Sequence, residues 1–155
     1  MRYTMRENCF VDTSTVLKVI IENEVELLEG LSKYVLHTST NVLEEASFKI
    51  IVASVLGELN VERTNFFKIK EEFERGIAEK IIIDRLHVLN FLKSRFVVLP
   101  VDDTIFDLSK KIVEKYKLLP NDALIAATCK HYGIKKIATF DDDFKRVDFL
   151  EVVEV

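Results

Sequence analysis

The sequence predicts an α/β fold with a mostly parallel central sheet that helices cover on both faces. Short apolar runs of strand type alternate with longer segments whose apolar residues recur at helical spacing, which is the order found in parallel sheets with crossover helices. Residues 96–101 are apolar throughout, as a strand buried on both faces requires. The chain has 155 residues, so we expect residues 1–155 to form a single domain.

Five apolar runs predict the strands of this sheet. In chain order they fall within residues 9–11, 34–38, 96–101, 134–140 and 150–155. Asp12 follows the first run, and Asp141 follows the fourth. Because the carboxyl ends of parallel strands meet at one edge of a sheet, we expect Asp12 and Asp141 at the same edge.

Helices are predicted where apolar residues recur every three or four positions after residues that can cap a helix. In chain order these segments are residues 16–31, 42–56, 105–116 and 123–132. Asn121 and Asp122 are predicted to cap the last helix, and Gly133 to end it. Pro120 disfavours a helical conformation for the residue before it, so residues 118–120 are predicted to form a linker.

Residues 60–95 are predicted to form a helical insertion of two antiparallel helices that break near Gly76. This segment is the least regular part of the chain for a doubly wound fold. It carries enough apolar residues to build an interface beyond its own packing, which makes it a candidate to clamp a substrate or to form a dimer. The plainer alternative is that it only covers the sheet.

The composition excludes several classes of protein. The net charge of −4 gives no overall attraction to nucleic acid, although a site built of carboxylates would account for that much acidity. Cys9 and Cys129 are too few for a disulfide scaffold and are expected as reduced core residues. Residues 1–7 lack the apolar core of a secretion signal, and no apolar run is long enough to span a bilayer, so we expect a cytoplasmic protein.

Four carboxylates from distant segments are predicted to meet at one sheet edge. Asp12 and Asp141 follow strands, whereas Glu45 and Asp122 lie in the opening turns of helices. Such groups repel each other when they share a cleft, and a divalent cation is the usual remedy. The arrangement therefore points to metal-assisted phosphate chemistry.

Each carboxylate also has a local explanation. Asp12 and Asp122 would serve as helix caps, and Asp141 would lie in an exposed turn. Glu45, like its neighbour Glu44, would complement a helix dipole. Only one of these two glutamates is expected to face the cleft, because adjacent helical residues point in different directions, and the spacing from the preceding strand favours Glu45. No local explanation accounts for the convergence of all four.

Four short motifs hold these carboxylates. They are FVDTS at residues 10–14, VLEEA at 42–46, PNDALIAA at 120–127 and ATFDDDF at 138–144. In this order and separation they resemble the PIN-domain ribonucleases, a family that includes the VapC-type toxins. The last two motifs are the most specific, and the resemblance covers nearly the whole chain, with residues 60–95 the most divergent.

The resemblance implies a three-layer α/β/α sandwich that binds Mg²⁺ or Mn²⁺ and cleaves RNA as an endonuclease. Asp12 and Asp122 are then the expected strongest metal ligands, and Glu45 and Asp141 complete the shell, directly or through water. The same four carboxylates are the expected catalytic residues. Many members are toxins that pair with a small antitoxin protein, and many dimerise, so an antitoxin partner and a homodimer are further expectations.

Five further side chains are expected to support the site. They are Thr13, Ser14, Glu44, Thr139 and Asp143. The hydroxyl groups would hydrogen-bond a phosphate or a site carboxylate, although a role at a helix cap or a strand end serves them equally well. Asp143 is a reserve metal ligand, and Asp142 is expected to face solvent.

Two other classes of protein share parts of this pattern. Haloacid-dehalogenase-like phosphatases need a second aspartate two positions after the first, where this chain has Ser14, and receiver domains need a pair of acids near the first strand. The remaining alternative is a PIN-like module that binds RNA or a protein without cleaving it. The presence of all four acids argues against that alternative, because degenerate members would be expected to lose some of them.

Overall fold

The computed structural model describes residues 4–155, so residues 1–3 of the segment 1–7, in which no secretion signal was expected, lie outside it. Within residues 4–155 five strands form one sheet. They are β1 (Asn8–Val11), β2 (Val35–Ser39), β3 (Val97–Leu99), β4 (Lys136–Ala138) and β5 (Glu151–Val153). The strand order is β3-β2-β1-β4-β5, and every pairing is parallel. The predicted parallel sheet is confirmed.

Seven α-helices surround this sheet in the described part of the chain. They are α1 (Thr13–Ile21), α2 (Glu26–Leu31), α3 (Thr40–Leu59), α4 (Phe66–Glu74), α5 (Glu79–Arg95), α6 (Asp103–Tyr116) and α7 (Pro120–His131). A 3₁₀ helix spans Asp142–Arg146. None of the helices in residues 4–155 combines the length and the apolar content that crossing a bilayer requires.

The two faces of the sheet are covered by different helices. Phe10 of β1 packs with Ile105 of α6 and Ile125 of α7. The next residue, Val11, packs in a separate cluster with residues of α1, α3 and α5, among them Ile50 of α3. Because successive residues of a strand face opposite sides, these two clusters are the two faces of a three-layer α/β/α sandwich.

The helix predicted over residues 16–31 is two helices. The break falls between Ile21 and Glu26, where Asn23 has a φ of 57°. Asparagine tolerates this left-handed conformation better than most residues, since its short polar side chain hydrogen-bonds locally. The apolar spacing continues across the break because both helices pack against the same layer.

The predicted start of α7 is wrong. The helix begins at Pro120, and Leu119 is its N-cap residue, with φ −66° and ψ 157°. Proline suits the first helical position because the N–H that it lacks would have no partner there, and it holds the preceding residue extended. Of the predicted linker 118–120, only residues 118 and 119 precede the helix. Asn121 and Asp122 lie inside the first turn of the helix and do not cap it.

The insertion at residues 60–95 contains two helices, α4 and α5, as predicted. Gly76, with φ 90°, lies between them. Ile69 of α4 and Ile82 of α5 pack against Val55 of α3. The first part of the insertion therefore covers the outer side of α3, whereas Leu89 and Leu92 at the end of α5 pack in the cluster of Val11 on the sheet.

Both cysteines are buried and unpaired, as expected for core residues in reduced form. Cys9 and Cys129 have no exposed surface. Burial raises the pKa of the Cys9 thiol to about 12 and the pKa of the Cys129 thiol further still. Neither thiol is a nucleophile at neutral pH.

Candidate metal centre and active site

The candidate site lies at the carboxyl ends of β1 and β4. The strand order reverses here, since the chain runs from β1 to β2 and β3 on one side and has β4 and β5 on the other. Sheets of this type bind ligands in the crevice outside such a point. A cavity of about 240 Å³ opens there, which we call the acidic cavity. It is lined by Asp12, Thr13, Ser14, Glu45, Lys49, Leu119, Asn121, Asp122 and Asp141. The four carboxylates singled out in the sequence all line it.

Asp12 is the most buried of these carboxylates, with 4% of its surface exposed. Its Oδ1 accepts a hydrogen bond from the Thr13 N–H at 2.7 Å, so it does cap α1. Its Oδ2 accepts from the hydroxyls of Thr139 at 2.7 Å and Ser14 at 3.1 Å. Burial raises the pKa of Asp12, and these three hydrogen bonds oppose that rise. The cap is therefore only part of what Asp12 does.

Glu45 is held in the acidic cavity from three directions. Its Oε2 accepts from the Thr13 hydroxyl at 2.9 Å and from the Asn121 side-chain amide. Its Oε1 lies 2.7 Å from Lys49 Nζ. Glu44 is exposed and lies outside the cavity lining. Of the two adjacent glutamates, Glu45 faces the site.

Asn121 positions Glu45. It donates to Glu45 Oε2, and its Oδ1 accepts from Asn41 Nδ2 at 3.0 Å. Asn41 in turn accepts from the Ser39 hydroxyl at the end of β2. The sequence predicted Asn121 as a cap of α7. That interpretation is wrong, because the partners of Asn121 lie far away in the sequence.

Asp122 carries the strongest sign of crowding in the site. Its pKa is raised to about 6, first by burial and then by the nearby charges of Asp12, Asp141, Glu45 and Asp143, in that order. Each of these effects raises the pKa of Asp122, and none of them is a hydrogen bond to its carboxylate. Asp122 therefore differs from Asp12, whose charge is held by three donors.

Three carboxylates come close enough to share one ion. Asp122, Asp141 and Asp143 each offer an oxygen within 4.8 Å of the others. Asp12 and Glu45 line the same cavity but lie outside this group of three. Hard carboxylate oxygens suit Mg²⁺ and Mn²⁺, and the unneutralised charge at Asp122 is what a dication would offset. The donor set fits such an ion.

The aspartate run after β4 divides into three different roles. Asp141 accepts from the Asp143 N–H at 2.9 Å and caps the 3₁₀ helix. Asp143, expected as a reserve ligand, belongs to the group of three and also accepts from Arg146 at 2.7 Å. Asp142 is 86% exposed and pairs with Lys145, so it faces solvent as predicted.

The sequence interpretation missed two residues of this region. Lys49 lines the acidic cavity, and a signal for it existed, since it lies four positions after Glu45 on one helix face. Phe140 was placed inside a strand, but β4 ends at Ala138 and Phe140 is 43% exposed. An aromatic residue directly before Asp141 was the only signal for it in the sequence.

A family model for the PIN domain matches residues 9–150 of the chain. Ribonuclease VapC6 of Methanocaldococcus jannaschii is 33% identical over 156 residues, which cover 95% of this chain and 97% of that protein. Ribonuclease VapC2 of the same organism is 54% identical over 70 residues, or 45% of this chain. This second match spans about half the length of VapC2, 47% of it.

The fold is also similar to a solved structure, a toxin–antitoxin complex from Klebsiella pneumoniae. The TM-score is 0.62, and the match covers 94% of this chain and 96% of that chain. The sequence identity is 17%, so this similarity concerns the fold alone.

Proposed function

The chain belongs to the PIN-domain family, as its motifs predict, and from that membership we propose that it is a metal-dependent endoribonuclease. The observation that carries the proposal is the convergence of four carboxylates from separate segments on one cavity. They are Asp12, Glu45, Asp122 and Asp141. The relatives named as ribonucleases support RNA as the substrate and hydrolysis of its phosphodiester bonds as the reaction.

The residues assigned to a Mg²⁺ or Mn²⁺ ion in this proposal are the four carboxylates, joined by Asp143. Asp122, Asp141 and Asp143 would hold the ion most directly, because their oxygens approach one another closely. Asp12 and Glu45 complete the shell, directly or through water. When bound, the ion supplies a water of lowered pKa and offsets the charge of the phosphate oxygens.

The protein groups fix the geometry in which this chemistry occurs. Asp12 is locked by three hydrogen bonds and Glu45 by Thr13, Asn121 and Lys49, so neither carboxylate needs to reorganise when substrate enters. Asp122 takes up a proton at mildly acidic pH, since its pKa is about 6. That proton competes with the cation for the same oxygens.

The purified protein tests this proposal on a single-stranded RNA with EDTA, Mg²⁺ or Mn²⁺. We expect cleavage only with a divalent cation, and its loss in both Asp12→Asn and Asp122→Asn. Asp142→Asn is the matched control, because Asp142 belongs to the same acidic run as Asp141 but faces solvent. Unchanged cleavage in both site variants would reject the site. RNA binding without cleavage at any cation would instead support the binding-only alternative.

The protein partners in this proposal are a small antitoxin and a second copy of the chain. Three phenylalanines on α3 and α4 form an exposed group that offers a surface for such contacts. They are Phe48, Phe66 and Phe67, which are 48%, 56% and 79% exposed. The ring centroid of Phe66 lies 6.3 Å from that of Phe48 and 6.0 Å from that of Phe67. The relatives named as VapC ribonucleases support the role of a toxin, because VapC-type toxins belong to the family that the motifs resemble.

Co-expression and light scattering test these partners. We expect toxicity when the chain is expressed alone, relief by a small co-expressed protein, and a dimeric mass in solution. Phe67→Asp should weaken at least one of the two assemblies. Phe91→Asp is its control, because Phe91 is 57% exposed on α5, outside the ring group. A monomeric, harmless protein would reject both partners.

A further inference from the structure

We propose that Phe140 stacks on a nucleobase next to the scissile phosphate, in a nucleotide subsite that adjoins the acidic cavity. The inference rests on the proposed ribonuclease function and adds a binding residue to it. A second cavity of about 400 Å³, which we call the side cavity, shares Asp141 with the acidic cavity. Phe140, Lys145 and residues 152–155 line it.

Phe140 is fixed relative to the metal-site carboxylates. Its backbone N–H donates to the Ser14 hydroxyl at 2.9 Å, and the same hydroxyl donates to Asp12 Oδ2 at 3.1 Å. Its two neighbours in the chain, Thr139 and Asp141, both belong to the site. A ring attached at this point has a defined distance from the carboxylates, as a stacking platform requires.

Exposure alone does not single out Phe140, because single apolar residues are common on protein surfaces. What distinguishes it is its surroundings. Phe140 is 43% exposed and lines a cavity next to four carboxylates. Lys18 Nζ lies 4.8 Å from the ring centroid, and Lys18 is itself held by Glu22 at 3.0 Å. The lysine makes a cation–π contact with the ring and brings a positive charge to the rim of the site.

The side cavity is itself mostly acidic, since Asp141, Asp142 and Glu154 line it together with Lys145. Four carboxylates repel a phosphate backbone, so an RNA strand needs cations on the path that leads away from them. Lys18 stands beside Phe140, and Lys145 lines the side cavity. Lys145 pairs with Asp142 in an exposed contact, which is weak enough to exchange for a phosphate.

The chemistry of the subsite is that of an unpaired base in single-stranded RNA. Unstacked bases of loops and single strands bind aromatic faces, which contribute affinity without reading the base through hydrogen bonds. Phenylalanine offers a face and no donor or acceptor. The subsite therefore tightens binding at one nucleotide position and tolerates any base there.

A double-mutant cycle that combines a substitution in the protein with an abasic position in the RNA tests the subsite. Cleavage is measured on a short single-stranded RNA and on a series of the same RNA with one abasic position each. We expect Phe140→Ala to raise KM about tenfold and to change kcat little, as loss of one stacked base predicts. One abasic position should raise KM for the unsubstituted protein by the same factor and should add nothing to the effect of Phe140→Ala.

Two further variants separate a stacking role from a structural one. Phe140→Tyr keeps the aromatic face and should keep KM, whereas Phe140→Leu keeps apolar volume and should behave like Phe140→Ala. Phe106→Ala is the matched control, since Phe106 is 48% exposed with Lys110 Nζ 4.1 Å from its ring centroid but lines neither cavity. It should leave KM unchanged.

The outcomes that overturn the subsite are distinct from failure of the proposed function. If the unsubstituted protein cleaves RNA and Phe140→Ala matches it, no base stacks on the ring. If Phe140→Ala and every abasic position act additively, the ring has only a structural role. Absence of cleavage by the unsubstituted protein with Mg²⁺ and Mn²⁺ would reject the ribonuclease proposal itself, and the subsite with it.

Discussion

The Thr139 hydroxyl donates a buried hydrogen bond of 2.7 Å to Asp12 Oδ2 and thereby joins the carboxyl ends of β4 and β1. The Thr139 hydroxyl oxygen also accepts a hydrogen bond from the Asp141 N–H at 3.0 Å. One hydroxyl therefore sets the positions of two proposed metal ligands that lie 129 residues apart in the chain, at positions 12 and 141. This gives Thr139 a more specific role than the strand-end hydroxyl that the sequence offered as an alternative.

Thr139→Val should impair both stability and activity. Valine keeps the shape of threonine but leaves the buried Asp12 carboxylate without one donor, which costs about 1–3 kcal/mol of the free energy of unfolding. Chemical denaturation measures this loss, and cleavage with Mn²⁺ should fall in parallel because Asp12 and Asp141 are no longer held. Thr139→Ser retains the hydroxyl and is the control. Equal behaviour of the two variants would show that the hydrogen bond does not matter.

Glu45→Gln should weaken metal binding and cleavage, whereas Glu44→Gln should change neither. The two residues are adjacent in sequence and helix, but only Glu45 lines the acidic cavity. The amide also removes the charge that Lys49 pairs with at 2.7 Å. Titration calorimetry with Mn²⁺ measures the affinity, and cleavage of RNA measures the activity. A larger effect of Glu44→Gln would mean that α3 presents a different face to the site.

The parts of the fold that follow from local patterns could be predicted. The apolar run before Asp12 defines a buried strand, and the residues after it define a helix start, so the position of Asp12 follows from neighbours in the sequence. The parallel sheet then brings Asp141 to the same edge. Only one of Glu44 and Glu45 could face the site, because helical residues one position apart point in different directions, and the spacing from the preceding strand favoured Glu45.

The parts that depend on distant partners could not be predicted. Asn121 bonds Glu45 and Asn41, which are 76 and 80 positions away, and no local pattern distinguishes such an asparagine from a cap. Pro120 is compatible with a linker or with the first helical position, and only packing decides between them. Phe140 continues an apolar run, so that the end of β4 at Ala138 cannot be located from that run.

Metal ions should stabilise the protein more at pH 7.5 than at pH 5.5. The pKa of Asp122 is about 6 in the folded protein against 3.8 for the ordinary carboxyl, so the folded state binds more protons between these values. The contribution of this group to stability therefore falls as the pH rises from about 4 through 6, and the full penalty is present above that window. A cation removes the penalty only where Asp122 is ionised.

Thermal melting with EDTA and with Mn²⁺ at the two pH values measures this difference. Asp122→Asn should raise the melting temperature of the metal-free protein at pH 7.5, because it removes an unfavourable charge, and should abolish most of the shift caused by Mn²⁺. Asp142→Asn should keep the Mn²⁺ shift, since Asp142 is 86% exposed. An Mn²⁺ shift of equal size at both pH values would contradict the assignment of Asp122 to the ion.

Lys49→Met should change metal binding and RNA binding in opposite directions. Of the described residues that line the acidic cavity, Lys49 is the one cation, and its side chain is 51% exposed. Its loss leaves Glu45 unpaired and makes the cavity more negative, so affinity for Mn²⁺ should rise. The same loss removes a positive charge near the scissile phosphate. RNA binding should therefore weaken, which a higher KM for RNA would show.

The stability effect of Lys49→Met should be small, about 0.3–0.5 kcal/mol, as for other helical ion pairs with this spacing. Lys80→Met removes a pair of the same spacing with Asp84, at 2.8 Å and away from the site, and should match that stability effect without changing KM. Lys49→Arg keeps the charge and should keep KM close to that of the unsubstituted protein. A fall in Mn²⁺ affinity in Lys49→Met would contradict this prediction. It would show that positioning of Glu45 by the lysine matters more for the ion than the repulsion between the lysine and the ion.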